Sequence, residues 1–260
     1  MRAVSLHGDV IVVTSQIFQA HCTFVRDPGE EETVAIDSPV LPEELELLPA
    51  LVEQAGFRPP RGLLATHADW DHLLAPLAFP RATLGCAESS VERLRAEPGA
   101  AQRMLRHFDE ELHIERLRPL SLAALQPLAV PGSCGIGQSE LELHAATGHT
   151  ADGMAVWIPW ARVLVAGDYL SPVEPPLLGE GDQLDAYEMT LERLHPLALQ
   201  AEHVVPGHGP ALDGAAAVRL LLQDRAYLQR LRRRGAEAEL PPGRRSRAHR
   251  ELHAQNVSRL

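Results

Sequence analysis

The run Thr66-His67-Ala68-Asp69-Trp70-Asp71-His72 constrains this chain more than any other stretch. It places four potential metal-binding side chains, His67, Asp69, Asp71 and His72, within six residues, directly after the apolar segment 62–66. A buried strand fixes the position of its own end, and a loop leaving that end can wrap several donors around one point. Imidazole combined with carboxylate suits zinc, iron or manganese, whereas calcium prefers an all-oxygen shell. A fold that uses this run must bring further donors to the same strand end.

Three candidates follow in order. His149 in Thr147-Gly148-His149-Thr150, Asp168 in Ala166-Gly167-Asp168 and His208 in Pro206-Gly207-His208-Gly209 each come after an apolar, strand-like segment. Taken singly, each reads as an ordinary turn residue beside glycine. Their shared context is a donor at a strand end, with glycine beside it to let the backbone turn sharply. That context points to convergence on one edge of a sheet structure.

Apolar patterning predicts strands over residues 9–14, 22–26, 33–37, 62–66, 82–86, 141–145, 154–158, 163–166 and 203–205. Helical spacing predicts helices over 42–55, 89–96, 185–194 and 214–234, and a short one over 251–257. Residues 98–131 are the least readable stretch, with weak helical character and several prolines towards its end. Strands and helices come in two similar rounds. The expected fold class is therefore α/β, a four-layer αββα sandwich of two mixed sheets with helices outside. Residues 1–240 are expected to form the catalytic domain. Residues 241–260, set off by Pro241-Pro242-Gly243, are expected to form a basic C-terminal segment packed on it.

All 24 basic residues are arginine, so no lysine is present to serve a P-loop, a Schiff base or a pyridoxal anchor. Cys22, Cys86 and Cys134 form no Cys-x-x-Cys pair and read as small buried hydrophobes. The net charge of −11 is unevenly placed: ten arginines against three glutamates follow residue 224, and the rest of the chain carries the acidic excess. An acidic body disfavours a nucleic-acid partner, and the basic end reads first as a solvated helix face. No stretch approaches the roughly 20 apolar residues of a membrane span, and the N-terminal residues lack a secretory pattern. The expectation is a cytoplasmic protein with a small-molecule substrate and no membrane partner, with a homo-oligomer left open.

Through the His-x-Asp-x-Asp-His run and the ordered Gly-His-Thr, Gly-Asp and Pro-Gly-His-Gly turns, the sequence resembles the metallo-β-lactamase-fold superfamily of metallohydrolases over nearly its whole length. The resemblance implies two divalent metal ions. His67, Asp69 and His149 would hold the first, Asp71, His72 and His208 the second, and Asp168 would bridge them. Asp37 matches the aspartate that supports the ligands from behind, with a surface-turn residue as the alternative. Trp70 and Tyr169 would line the pocket or simply pack. The commonest form of the motif has His where this chain has Asp69, so the first site exchanges an imidazole for a carboxylate. Zinc is the first expectation, and Asp69 admits iron or manganese. Alternatively Asp69 swings away and leaves one well-bound ion at the second site.

The implied function is a metal-dependent hydrolase that turns a hydroxide held between the metals on a small ester, thioester, lactone or amide, with Asp71 or Asp69 as the catalytic proton carrier. A second reading is a diiron oxidoreductase with separate redox partners, favoured by the similarity of Asp69 to the acidic ligand of the superfamily's diiron branch. A phosphodiesterase or nuclease of the same fold is suggested by the arginine-rich end, and a non-catalytic binding module is the blandest option. Residues 170–184, with three prolines and two glycines, read as a lid or a connector. The remaining histidines, His144, His195 and His203 among them, default to structural or exposed roles.

Overall fold

The computed structural model describes residues 1–29, 31–181 and 183–260. The first half carries β1 (Arg2–His7), β2 (Val10–Thr14), β3 (His21–Arg26), β4 (Thr33–Asp37), α1 (Pro42–Gln54), β5 (Gly62–Leu64), α2 (Ala75–Ala78), β6 (Thr83–Ala87), α3 (Glu88–Ala96), α4 (Ala100–Leu112) and β7 (Leu125–Leu128). The second half carries β8 (Gly132–Ile136), β9 (Ser139–Ala145), β10 (Met154–Ile158), β11 (Val163–Gly167), α5 (Leu184–Gln200), β12 (His203–Pro206), β13 (Leu212–Asp213), α6 (Gly214–Arg234) and α7 (Arg247–Ser258). The first sheet runs β1 to β7 in sequence order, antiparallel as far as β4 and parallel from there on. The second has the order β13-β12-β11-β10-β9-β8, with β11 and β12 parallel and the other neighbours antiparallel.

Side chains alternate across a strand, so a strand apolar at every position must be covered on both faces. Such strands generate the layers here. In β2, Val10 and Val12 join the core between the sheets, and Ile11 and Val13 pack toward the helices. In β10, Met154, Val156 and Ile158 face the other sheet, while Ala155 and Trp157 face outward. β11 divides the same way, Val163 and Val165 against Leu164 and Ala166. Three apolar layers result: one between the sheets, one under Leu45, Leu48 and Leu105 of α1 and α4, and one under Leu191, Leu194, Leu221 and Leu228 of α5 and α6. The fold is the expected αββα sandwich. A fully buried Val or Leu contributes about 1.5–3 kcal/mol, so the middle layer alone accounts for a large share of the cohesion between sheets.

Several elements differ from the sequence expectation. β1 is an addition, because none of its side chains is buried and it is held by backbone pairing to β2, from Arg2↔Thr14 to His7↔Val10. β8 and β13 are edge strands without an apolar run, and α4 and β7 lie in the least readable stretch. α5 continues through Pro196 to Gln200, past the expected end. Cys22 and Cys86 are buried as expected, whereas Cys134 on β8 is only half-buried. Among the described residues no helix is long and apolar enough to cross a membrane.

The C-terminal ends of β4, β5, β11 and β12 lie at one edge of the sandwich, where backbone bonds cross between sheets. Met154 N donates to Thr66 O at 2.7 Å, His21 N to Gly207 O at 3.2 Å and Gly209 N to Gln19 O at 3.2 Å. Loops leaving parallel strand ends are the usual place for a site, and here their starting points are fixed from both sides.

Candidate metal centre

Asp37 ends β4 with φ 58°, a left-handed conformation that Asp tolerates better than most residues. The turn aims its carboxylate along the sheet edge, where it accepts from Thr66 N at 2.7 Å and Thr66 Oγ1 at 2.9 Å. Asp37 Oδ2 also lies 3.0 Å from His72 Nδ1, and Thr66 Oγ1 lies 3.1 Å from His67 Nδ1. The other two histidines meet backbone oxygens: His149 Nδ1 is 3.0 Å from Leu177 O and His208 Nδ1 is 3.2 Å from Phe18 O. An oxygen acceptor at Nδ1 places the proton there and leaves Nε2 bare, the arrangement that metal-binding histidines require. All four imidazoles are oriented in this way.

Their Nε2 atoms converge on Asp168, which follows the left-handed Gly167 at the end of β11. His149 Nε2 lies 3.1 Å from Asp168 Oδ2, His208 Nε2 3.4 Å from Oδ2, His72 Nε2 3.2 Å from Oδ1 and His67 Nε2 3.8 Å from Oδ2. Asp69 Oδ2 stands 3.6 Å from His67 Nε2 and 3.7 Å from His149 Nε2. Asp71 Oδ2 stands 3.5 Å from His208 Nε2 and 3.8 Å from His72 Nε2. Two donors about 2.1 Å from one ion at a tetrahedral angle are about 3.4 Å apart, and these separations match that spacing. The donor atoms of His67, Asp69 and His149 lie within 4.8 Å of one another, as do those of Asp71, His72 and His208, and those of His67, His72 and Asp168.

The fit to a metal is tested by what the buried atoms lack. With Nδ1 carrying the proton, His67 Nε2, His72 Nε2, His149 Nε2 and Asp168 Oδ1 are buried acceptors that face only one another and lack a donor. Such atoms are costly to bury unless something else satisfies them. Cations in the two triads would satisfy all four, and the nitrogen and oxygen donor set suits zinc, iron or manganese.

Electrostatics favour the same conclusion. Burial alone would lower the pKa of His149 and of His208, but the Asp168 carboxylate outweighs it and pushes them up to about 10 and about 9. His72 is raised in the same way, against its burial, by Asp37, Asp168 and Asp71. Burial would raise Asp168, yet the surrounding histidines, His208 first, hold it well below the usual carboxylate range, and His149 and His67 do the same for Asp69. Without cations, His72, His149 and His208 hold protons beside Asp168, and cations in the two triads would exchange for them.

Gly207 keeps the centre open: a Cβ there would lie 1.9 Å from Asp168 Oδ1 and 3.1 Å from His72 Cε1. Tyr169 is buried against Tyr187, with ring centroids 4.5 Å apart, and its hydroxyl accepts from His149 N at 2.9 Å. It backs the ligand loop and does not line an open pocket. Trp70 is half-buried beside Phe108 and Phe18, at 4.8 and 6.2 Å between centroids.

One supporting group has no sequence signal. Arg93 of α3 donates through Nη2 to Asp69 Oδ1 at 2.7 Å and through Nη1 to Asp152 Oδ1 at 2.9 Å, and Asp152 Oδ2 accepts from Ala68 N at 2.9 Å. This ring fixes Asp69 with Oδ2 turned inward. Arg93 lies far from any motif, and only folding brings α3 to the ligand loop. His21, whose Nδ1 lies 2.7 Å from Pro206 O, is likewise unmarked, and burial lowers its pKa to about 4.

The sequence model of the Metallo-beta-lactamase superfamily matches residues 16–208. Among curated proteins, Beta-lactamase-like protein 2 homolog of Caenorhabditis elegans is 36% identical over 77 residues, a stretch that spans 28% of this chain and only 23% of the worm protein. Among solved structures, a metallo-beta-lactamase family protein of Thermus thermophilus superimposes with a TM-score of 0.68 at 20% identity, covering 88% of this chain and 82% of that one. The sec-alkylsulfatase Pisa1 of Pseudomonas sp. gives 0.70 at 14% identity over 98% and 49%. TTHA1623, solved in a di-iron-bound form, gives 0.60 at 24% identity over 80% and 97%. These structural likenesses establish the fold alone.

Proposed function

Because this chain belongs to the metallo-β-lactamase superfamily, we propose that it is a dinuclear metal-dependent hydrolase acting on a small ester, thioester, lactone or amide. The observation that carries the reading is that two donor triads share one central carboxylate, Asp168. When bound, two divalent ions supply Lewis acidity and a water activated near neutral pH, since coordination can lower a water pKa from about 15.7 to about 7. His67, Asp69 and His149 would hold one ion, Asp71, His72 and His208 the other, and Asp168 both. The imidazoles cannot turn away, because each Nδ1 is tied to an oxygen behind it.

Asp69 has its outer oxygen engaged by Arg93, so the proton-handling role falls to Asp71, which stands between His72 and His208. Substrate would approach on the side where Asp69 and Arg93 are the most exposed members, with side-chain exposures of 30% and 40%. Trp70 borders the same side. Several arginines of the basic C-terminal region pair with acidic side chains of the same chain, Arg244 on Asp224, Arg232 on Asp185 and Glu188, and Arg225 on Glu192, which favours a small molecule over a nucleic acid. Three free cysteines suit a reducing, cytoplasmic setting.

The diiron oxidoreductase reading draws on the acidic ligand Asp69, and one structural neighbour is described as di-iron-bound. Against it, the guanidinium of Arg93 offsets the negative charge that Asp69 adds, so the centre is no more anionic than one with a third imidazole at that place. Elemental analysis of purified protein, with a panel of ester, thioester, lactone, amide, β-lactam and phosphodiester substrates and an oxygen-consumption assay, separates the readings. Two ions per chain with carbonyl turnover, lost in Asp168→Ala, is the expected result. Iron with oxygen consumption and no hydrolysis would replace the hydrolase by the redox protein.

A further inference from the structure

The basic C-terminal segment has no part in the site as described, yet its side chains grip the loop that follows Asp168. Arg244 donates to Ser171 O at 3.1 Å and Glu174 O at 2.9 Å, and it is itself held by Asp224 at 2.6 Å in a buried pair. His249, at the start of α7, accepts from Ser246 N through Nδ1 at 3.1 Å, so Nε2 carries the proton that it gives to Val173 O at 2.8 Å. Arg259, beyond the end of α7, donates to Leu178 O.

The tightest grip is that of Asn256, a fully buried residue of α7. Its Nδ2 donates to Pro176 O at 2.7 Å and to Tyr227 OH at 3.0 Å, and its Oδ1 accepts from Leu178 N at 2.8 Å. The carboxamide thus holds the backbone on both sides of Leu177, and Leu177 O is the acceptor for His149 Nδ1. Both amide hydrogens and the amide oxygen are used, so the geometry leaves Asn256 no alternative rotamer that keeps them satisfied.

We propose that Asn256 is a positioning residue of the metal centre: by clamping Pro176 and Leu178 it fixes the Leu177 carbonyl that orients His149, and this is the work of the C-terminal segment. The clamp makes the loop a fixed wall instead of a lid. Outer partners of metal-binding histidines set ring orientation and basicity, and losing one weakens metal binding by about 10–100-fold. Asn256 lies one step further out but controls the placement of that partner. Only the ion held by His67, Asp69 and His149 depends on this chain of contacts, because His72 and His208 are oriented by Asp37 and Phe18 O.

The assignment rests on reading the cluster as a metal centre, and one titration tests both. Metal-free full-length chain is titrated with Co2+ against a competing chelator and followed by its absorption, in the wild type and in Asn256→Leu, Asn256→Asp, Tyr227→Phe and His149→Ala. The wild type should take up two ions, and His149→Ala identifies the bands of the first site. Asn256→Leu and Asn256→Asp should weaken that site about 10-fold or more and leave the other within about 2-fold. Asn256→Asp keeps the acceptor for Leu178 N and gives the answer should Asn256→Leu fail to fold. Tyr227→Phe loosens the docking of α7 but spares both bonds around Leu177, so both affinities should stay at the wild-type level. Equal weakening of both sites, no weakening, or the same loss in Tyr227→Phe overturns the proposal. A wild type that takes up no Co2+ overturns the metal-centre reading with it.

Discussion

Gly207→Ala probes the centre with a single methyl group. The added Cβ would sit 1.9 Å from Asp168 Oδ1. A carbon and an oxygen not bonded to each other come no closer than about 3.3 Å, so the carboxylate must retreat by about 1.4 Å. The backbone of Gly207 cannot yield instead, because its N–H donates to Gly167 O at 2.6 Å and its carbonyl accepts from His21 N at 3.2 Å. Coordination distances tolerate shifts of about 0.2 Å, several times less than the displacement. Asp168 is the donor shared by both triads, so both ions should weaken, each by at least about 100-fold, more than the loss of an outer partner costs. The fold should survive, but the displaced carboxylate gives up its ion-pair contacts with His72, His149 and His208, so the metal-free variant should melt below the metal-free wild type. Elemental analysis after exhaustive dialysis and chelator competition measure the first effect, and thermal unfolding the second. Gly8→Ala, where a Cβ would meet nothing within 4 Å, is the control. Wild-type metal affinity in Gly207→Ala would show that Asp168 does not hold the ions.

Other outcomes follow from the same contacts. Arg93→Met should release Asp69 and weaken the first site by about 10–100-fold in a Zn2+ competition assay, and Arg93→Lys should not restore it, since one ammonium cannot span Asp69 and Asp152; unchanged affinity in Arg93→Met removes Arg93 from the account. In the metal-free protein His149 and His208 have pKa values raised to about 10 and about 9, above the unfolded 6.5, so their ion-pair stabilisation is complete below pH 6.5 and fades as pH rises through 9–10. Metal binding displaces those protons, and calorimetry at pH 7.5 in buffers of different ionisation enthalpy should show release of about two or more protons; none released would contradict the assigned ligands. The pKa of His21 is lowered from 6.5 to about 4, so its contribution is full above pH 6.5 and is lost as pH falls through 4, a span worth about 3 kcal/mol. His21→Gln should flatten the stability curve of the metal-free protein between pH 6.5 and 4, and an unchanged slope would locate the acid lability elsewhere.

What can be read from the sequence tracks how local each signal is. β2, β10 and β11 are legible because both of their faces are buried, so nearly every residue is apolar. β1 escapes notice because backbone pairing holds an exposed edge that needs no apolar side chains. α4 does carry a helical stripe, Ala101, Met104, Leu105, Phe108 and Leu112, but the positions between are polar or charged and prolines follow, so the stretch as a whole reads weakly. The seven donors are visible because each stands at a strand end within a short motif. Asp37 can be placed only by its position at the end of β4, and its bonds to Thr66 and His72 are a product of folding. Arg93 and Asn256 give no signal, since an arginine on a charged helix and an asparagine near the C-terminus look like surface residues. Their roles depend on which loop each helix meets.

The most direct measurement is anomalous X-ray scattering from crystals of the metal-loaded protein, recorded on both sides of the absorption edge of the bound element. Two peaks per chain are expected beside the Asp168 carboxylate, one among His67, Asp69 and His149 and the other among Asp71, His72 and His208. A crystal in which Asp168 touches no anomalous scatterer, or whose only peak lies away from these seven side chains, would contradict this placement.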